Sequence, residues 1–277
     1  MSNCSVLILT LNEEVNIESC LNSVKWSDDV VVFDSNSTDD TALIAEKCGA
    51  RVQKRTFDNY ANQRNAGLQV EFKNDWILML DADERVTHSL YQEILHVISH
   101  SSHEITLYRI RRKDYLFGKW LKRSSGYPTW FGRLAKVRRV NVKRAVNEEY
   151  HTDGKVGYLE SHIMHFPFSK GFDYWIERHC KYATMEAKLI LEKRKARSQI
   201  SLNDFSDPVI RRRLIKQLGY KIPARPILSF IYLFIIRMGF MDGRAGLIYC
   251  ILRFFYENLI DIKTIELKMR DLKKLQF

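Results

Sequence analysis

Apolar residues first gather into runs of strand length: Ser5 to Leu11, Val30 to Phe33, a weaker Ala50 to Lys54, and Trp76 to Leu80. Each run is followed by a stretch with helical signals. After the second, Ser37 and Thr38 with Asp39 and Asp40 read as an N-cap and an acidic first turn. Leu43 and Ile44 add apolar positions, and Gly49 stands where the helix should stop. Alternating strand and helix predicts a mostly parallel, doubly wound sheet of the α/β class. Beyond Glu104 shorter alternating strands follow, at Ile105 to Arg111, Arg133 to Val137 and Val156 to His165, read as the second half of the same domain. From Phe172 the pattern turns helical, over Tyr174 to Arg197, over Asp207 to Leu218, and in an apolar section from Pro226 onward. The expected organisation is an α/β domain over residues 1–170 and a basic helical region over residues 171–277.

In such sheets ligands sit outside the carboxyl ends of the strands, so the residues just after each strand matter most. Here they are Thr10 to Glu14, Asp34 to Asp40 and Asp81 to Glu84. Three acidic clusters at one edge repel one another unless a cation or a donor-rich ligand lies between them. A nucleotide with its metal supplies both. The segment LDADE, Leu80 to Glu84, ends the strongly apolar WILML run and sets Asp81 and Asp83 two residues apart, so both carboxylates can face one ligand. Hard oxygen donors of this kind suit Mg²⁺ or Mn²⁺, with diphosphate oxygens completing the shell. The plainer reading of the same residues is an acidic turn closing a buried strand.

Charge adds an asymmetry. The net charge of +11 is not spread evenly: residues 1–170 hold 23 Lys and Arg against 22 Asp and Glu, and residues 171–277 hold 21 against 11. The C-terminal part is therefore expected to face an anionic surface, whether phospholipid, lipopolysaccharide phosphate or nucleic acid. Its longest apolar stretch, Ile227 to Ile236, is ten residues long, where a transmembrane helix needs about 20. Apolar aromatic pieces interleaved with arginine fit an interfacial helix, and equally helices packed on the catalytic domain. Five cysteines without a CxxC pair suggest neither a disulfide framework nor a zinc site, and the start of the chain lacks the features of a signal peptide. A cytoplasmic protein is expected.

Four motifs carry a family likeness: SVLILTLNEEVNIESCLNSV, VVVFDSNSTDDT, YANQRNAGL and WILMLDADERV, in that order over about 85 residues. Together they resemble the bacterial family 2 glycosyltransferases of GT-A fold. DSNSTDDT, FDNYANQRNAGL, the SGYP at Ser125 to Pro128 and the HFPF at His165 to Phe168 bring the chain nearest to the lipopolysaccharide core β-1,4-glucosyltransferase branch. The resemblance implies a UDP-sugar donor, with Thr10, Leu11 and Glu13 along the nucleoside, Asp34 at the base edge and Arg64 near the base or diphosphate. It implies Asp81 at the ribose or the metal and Asp83 on the metal. Read without the likeness, Asp34 is a turn-capping aspartate and Arg64 an exposed helix arginine.

Inversion at an anomeric carbon needs a group to take the proton of the attacking hydroxyl. Glu148 in VNEEY is the candidate, with Glu149 as the alternative. Asn147 stands where related sequences tend to carry histidine. His165 follows a strand and is a candidate to complete the metal shell or touch the diphosphate; His162 is a weaker one. The basic clusters Arg109 to Lys113, Arg138 to Arg144 and Arg211 to Arg213 are assigned to no catalytic role.

A nicotinamide dehydrogenase is excluded, since the first turn reads TLNEE with no GxGxxG. A sugar nucleotidyltransferase and a non-catalytic basic protein binding membrane or nucleic acid are the alternatives. The expectation is an inverting enzyme moving a hexose, glucose first, from a UDP-sugar to a lipopolysaccharide-core or other lipid-linked glycan. It would lie on the inner face of the cytoplasmic membrane and bind no nucleic acid.

Overall fold

The computed structural model describes residues 4–100, 102–143, 150–195, 207–220, 222 and 224–271. Packing divides the chain into two compact units, residues 1–114 with 130–169, and residues 115–129 with 170–277.

In the first unit β1 (Ser5–Thr10), β2 (Val30–Asp34), β3 (Arg51–Lys54) and β4 (Trp76–Asp81) form the parallel half of a sheet. These match the four early apolar runs to within one residue at each end. They are joined by α1 (Glu14–Ser23), α2 (Thr41–Lys47) and α3 (Tyr60–Gly67). The short β5 (Glu84–Val86) and α4 (His88–His100) follow. Then come β6 (Ile105–Leu116), β8 (Trp130–Lys136), the small ribbon of β9 (Val140–Val142) and β10 (Tyr150–Thr152), and β11 (Lys155–His165). Across the main sheet the order is β3-β2-β1-β4-β8-β6-β11-β5. Strand β8 runs antiparallel to both its neighbours, and β5 is antiparallel to β11. The sheet is therefore mixed: the doubly wound pattern read from sequence holds for the first half and gives way to antiparallel pairing at β8.

Both faces of β1, β2 and β4 are covered, which is why their sequences read as unbroken apolar runs. Val6, Ile8, Leu78 and Leu80 point into one core with Ile17, Leu90, Ile110 and Ile163. Leu7, Val31, Ile77 and Met79 point into the other with Ala61, Leu107 and Ala135. The second helix starts later than Ser37. Asp39 accepts the Thr41 N–H at 3.1 Å, and Ser37 donates its N–H at 2.7 Å and its hydroxyl at 2.5 Å to Asp34. The polar residues predicted to cap the helix thus shape the loop before it. Gly49 has a φ of 84°, consistent with the predicted stop.

The second unit contains the short β7 (Lys119–Trp120), α5 (Gly171–Lys195), α6 (Pro208–Gly219), α7 (Arg225–Ile231) and α8 (Gly243–Asp271). Helix α5 packs on α8. The buried Asp242 accepts the N–H groups of Arg123 and Ser124 and the Ser124 hydroxyl, at 2.9, 2.8 and 2.8 Å, tying residues 115–129 to these helices. Arg225 pairs with Glu257 at 2.6 Å and Asp261 at 2.8 Å. Helix α7 continues as a wider π turn, Tyr232–Ile236. Along it Ile227, Leu228, Ile231, Tyr232, Ile235 and Ile236 are all exposed, in two rows four residues apart. Leu247, Ile251 and Phe255 repeat that spacing on α8. Among the described residues no single helix is long and apolar enough to cross a membrane. The pair Arg225–Ile236 and Gly239–Asp271 reaches that length and apolarity together, but with a bend of 69° between them. The five cysteines, all among the described residues, form no disulfide.

Candidate functional site

Strand register builds the site. Thr10 pairs with Asp34 and Leu9 with Asp81, so the carboxyl ends of β1, β2 and β4 lie level. The antiparallel pairing of β5 with β11 puts His165 opposite Glu84, and the parallel pairing of β11 with β6 puts it opposite Asp114. Two strands from the second half of the sheet thereby deliver a histidine and a carboxylate to the LDADE turn.

Asp81 is held between two arginines. Arg64, on α3, donates to Oδ1 at 2.7 Å, and Arg133, on β8, donates to Oδ2 at 2.7 Å. Arg133 also reaches Glu84 Oε1 at 2.7 Å, while Glu84 Oε2 accepts the Asp81 backbone N–H at 3.0 Å. The aim of Arg133 has a backbone cause. Tyr108 pairs with Leu134 but Arg109 pairs with Gly132, so Arg133 is the extra residue of a β-bulge, a device that redirects a side chain. Burial raises the Asp81 carboxyl, but Arg133 and Arg64 outweigh it and hold Asp81 well below the usual carboxylate range. Glu84 goes the other way: complete burial, with the charge of Asp81 nearby, outweighs Arg133 and pushes it up. Arg112 approaches Glu84 at 3.8 Å and donates to Asp114 at 3.1 Å.

Asp83 is turned the other way. Its Oδ2 lies 3.3 Å from His165 Nε2, and His165 Nδ1 donates to Asp114 Oδ1 at 2.7 Å. Burial and Arg112 pull the imidazole down, but Asp83 and Asp114 prevail and push its pKa up to about 9. With Nδ1 fixed on a carboxylate, Nε2 is the nitrogen presented to the Asp83 side, the arrangement that orients metal-binding histidines. Among the described residues no three His, Cys, Asp or Glu side chains converge as a metal cluster; Asp83 and His165 are the pair at this edge that could hold an ion.

The remaining predicted residues fall around this edge. Arg64 is only 4% exposed, which excludes the solvated helix arginine. Thr10 donates to Asp34 at 2.7 Å, and Asp34 is fully buried with both oxygens engaged by Thr10 and Ser37. That is the contact pattern of a turn-setting aspartate. Leu11 is 43% exposed beside it, and Glu13 accepts from Asn16 at 2.8 Å and is half-buried. Asn12 has a φ of 54° and accepts the Thr38 N–H at 2.8 Å, locking the first loop to the second. Glu148 and Glu149 lie outside the described residues.

Arg133, Arg112 and Asp114 were not foreseen as site residues. Arg112 lies within the basic run Arg109 to Lys113, assigned no catalytic role, and Asp114 just after it shares its side of β6 by simple alternation. The bulge at Arg133 has no signature in the sequence.

Comparison with known proteins identifies the family. Residues 5–159, more than half of the chain, match the model of glycosyl transferase family 2. An uncharacterised glycosyltransferase of Rickettsia conorii is 29% identical over 72% of this chain and 74% of its own length. One of Rickettsia typhi is 26% identical over 98% and 90%. The lipopolysaccharide core biosynthesis glycosyltransferase LpsC of Rhizobium meliloti is 28% identical over 69% and 73%. Among solved structures, glucosyl-3-phosphoglycerate synthase from Mycobacterium tuberculosis, determined with Mn²⁺, UDP and glucosyl-3-phosphoglycerate, is 26% identical with a TM-score of 0.35. The match covers 41% of this chain and 44% of that one, under half of its length. The parallel strands, the acid-bearing strand ends and the family match converge: this chain is a glycosyltransferase of family 2, with a GT-A fold and a helical C-terminal part.

Proposed function

We propose that the protein is an inverting hexosyltransferase that moves glucose from UDP-glucose to a lipopolysaccharide-core or other lipid-linked saccharide. The observation that carries the reading is the convergence of Asp81, Asp83 and His165 at the ends of β4 and β11, with Asp81 oriented by Arg64 and Arg133. The likeness to the LpsC relative supports the acceptor class.

Leu11 and Glu13, on the loop after β1, line the nucleoside, and Thr10 with Asp34 sets the shape of that loop and its base edge. Arg64 and Asp81 face the ribose and diphosphate. Both Asp81 oxygens are already directed at arginines, so Asp83 and His165 are the residues that would hold Mn²⁺ or Mg²⁺. When bound, the ion supplies positive charge that steadies the departing diphosphate. The acceptor oxygen attacks the anomeric carbon, the bond to the diphosphate oxygen breaks, and Glu148 takes the hydroxyl proton.

Titration of the purified protein with UDP, with and without Mn²⁺, tests the donor assignment, and turnover of UDP-glucose against other UDP-hexoses tests the sugar. Binding that requires Mn²⁺ is expected. Failure of UDP to bind under either condition would overturn the donor.

The same reading locates the enzyme in the cytoplasm, on the inner face of the cytoplasmic membrane. Its support is the pair of exposed apolar rows on α7 and the π turn, where residues 226–236 carry no charge, within a region holding 21 basic against 11 acidic residues. An anionic lipid surface complements that composition, whereas a second copy of the same basic region is repelled. Sedimentation with vesicles containing phosphatidylglycerol, little sedimentation with neutral vesicles, and loss of both in Ile235→Asp are expected. Concentration-dependent dimerisation without vesicle binding would overturn it.

A further inference from the structure

The face of the antiparallel strands on the side of Arg109 and Arg111 is not used by the donor reading. On β6 these two residues alternate and so share one face. Arg111 pairs with Trp130 on β8 and with His162 on β11, and Arg109 pairs with Gly132 and Tyr158. Directly opposed residues point the same way, so two aromatic rings and two guanidinium groups share this surface. Trp130 and Tyr158 meet edge to face, with ring centroids 5.0 Å apart. Arg111 lies over the Trp130 ring at 5.4 Å, and Arg109 lies over Tyr158 at 5.6 Å and donates to its hydroxyl at 2.7 Å.

Arg111 is the informative member. It is half-buried, its Nε is buried without a hydrogen-bond partner, and no acid pairs with it among the described residues. A guanidinium partly withdrawn from water without an anion is costly, and an anionic ligand offsets that cost. Its charge is felt locally: burial, then the charges of Lys113 and Arg111, pull His162 below the ordinary imidazole range.

Position relative to the donor residues narrows the ligand. Trp130 is three residues from Arg133, about 10 Å along a strand, and Arg133 touches Asp81. A Cβ at Gly132 would meet the Tyr150 ring at 3.0 Å, so Tyr150 covers that position. The surface therefore adjoins Asp81, with Tyr150 packed over Gly132 beside it.

We propose that this face, with Arg111 at its centre and Trp130 and Tyr158 beside it, is the acceptor subsite, and that the acceptor saccharide carries a phosphate or carboxylate bound by Arg111. The guanidinium fork matches either anion in a planar, two-pronged contact, and the aromatic rings pack against the C–H face of a sugar ring. This rests on the reading of the protein as a transferase to a saccharide, and it adds the requirement for a negative charge on that saccharide.

The test is binding of small probes to the full-length protein by ligand-observed NMR, with and without UDP and Mn²⁺. The probes are a glucose phosphate ester, glucuronate, methyl glucoside and inorganic phosphate. One or both of the anionic sugars should bind at least about tenfold more tightly than methyl glucoside and than inorganic phosphate, the difference expected of one charge-assisted contact. The comparison of phosphate with carboxylate identifies the anion. Arg111→Gln should lose that preference and Arg111→Lys should restore part of it, while UDP affinity stays within about twofold in both. Trp130→Leu should weaken all the sugars and leave inorganic phosphate unchanged. Equal binding of neutral and anionic sugars, inorganic phosphate binding as tightly as the sugar phosphate, or an unchanged preference in Arg111→Gln would each overturn the subsite. No detectable binding of any sugar would do the same. UDP binding is read in the same samples, so failure of the subsite is distinguishable from failure of the donor reading.

Discussion

Two charged surfaces of the first unit are built on opposite principles. At the ends of β4 and β11 each named charge is matched: Arg64 and Arg133 by Asp81, Arg133 also by Glu84, Arg112 by Asp114, and His165 by Asp83 and Asp114. On the neighbouring face of β6 and β8, Arg111 has rings beside it and no acid among the described residues. A matched network holds its geometry before any ligand arrives, which suits the role proposed for it, orienting a diphosphate and a metal. An unmatched cation does little for stability and leaves its charge available to a ligand. On the proposed reading the first surface positions and the second recognises.

That contrast makes graded expectations. The largest effect should come from the chemistry that both surfaces serve: Glu148→Gln should lower kcat by about 10²- to 10⁴-fold, the usual range for a general base, with UDP affinity unchanged. A loss of UDP binding in parallel would assign Glu148 to the donor site. Next, removing the central cation of the matched network by Arg133→Met leaves Glu84 buried beside Asp81 with less compensation. A destabilisation of about 3–5 kcal/mol is expected in urea unfolding, since Arg133 is 3% exposed and its partner Glu84 is fully buried. Smaller is the effect of Asp114→Asn, which keeps the shape but weakens the hold on His165. Mn²⁺-dependent UDP binding should fall about 10- to 100-fold, the range for outer-shell partners of metal-binding histidines, with metal-independent UDP binding unaltered. The smallest loss of stability belongs to Arg111→Gln: removing a charge that no acid offsets should cost no more than about 0.5 kcal/mol. A loss as large as that of Arg133→Met would mean that Arg111 is a structural residue and the two surfaces are not different in kind.

The parallel half of the fold was legible because β1, β2 and β4 are buried on both faces, which forces unbroken apolar runs that end in polar loops. LDADE stood out for the same reason, as acid directly after WILML. The antiparallel half was legible as strands but not as neighbours. Nothing local says that β8 would insert between β4 and β6, or that β11 would return beside β5 and bring His165 to Asp83. Arg133 was hidden by its bulge, and Ser37 misled because its side chain serves Asp34 and not a helix end. Long-range pairing decided each of these cases, and the local pattern carries little trace of it.

The donor and metal assignment is tested by calorimetric titration of UDP with and without Mn²⁺, comparing the parent protein with Asp83→Ala. Mn²⁺-dependent UDP binding in the parent, lost in Asp83→Ala while thermal unfolding stays near that of the parent, is the expected result. Equal Mn²⁺-dependent binding in both proteins would contradict the role given to Asp83 and, with it, the site at the end of β4.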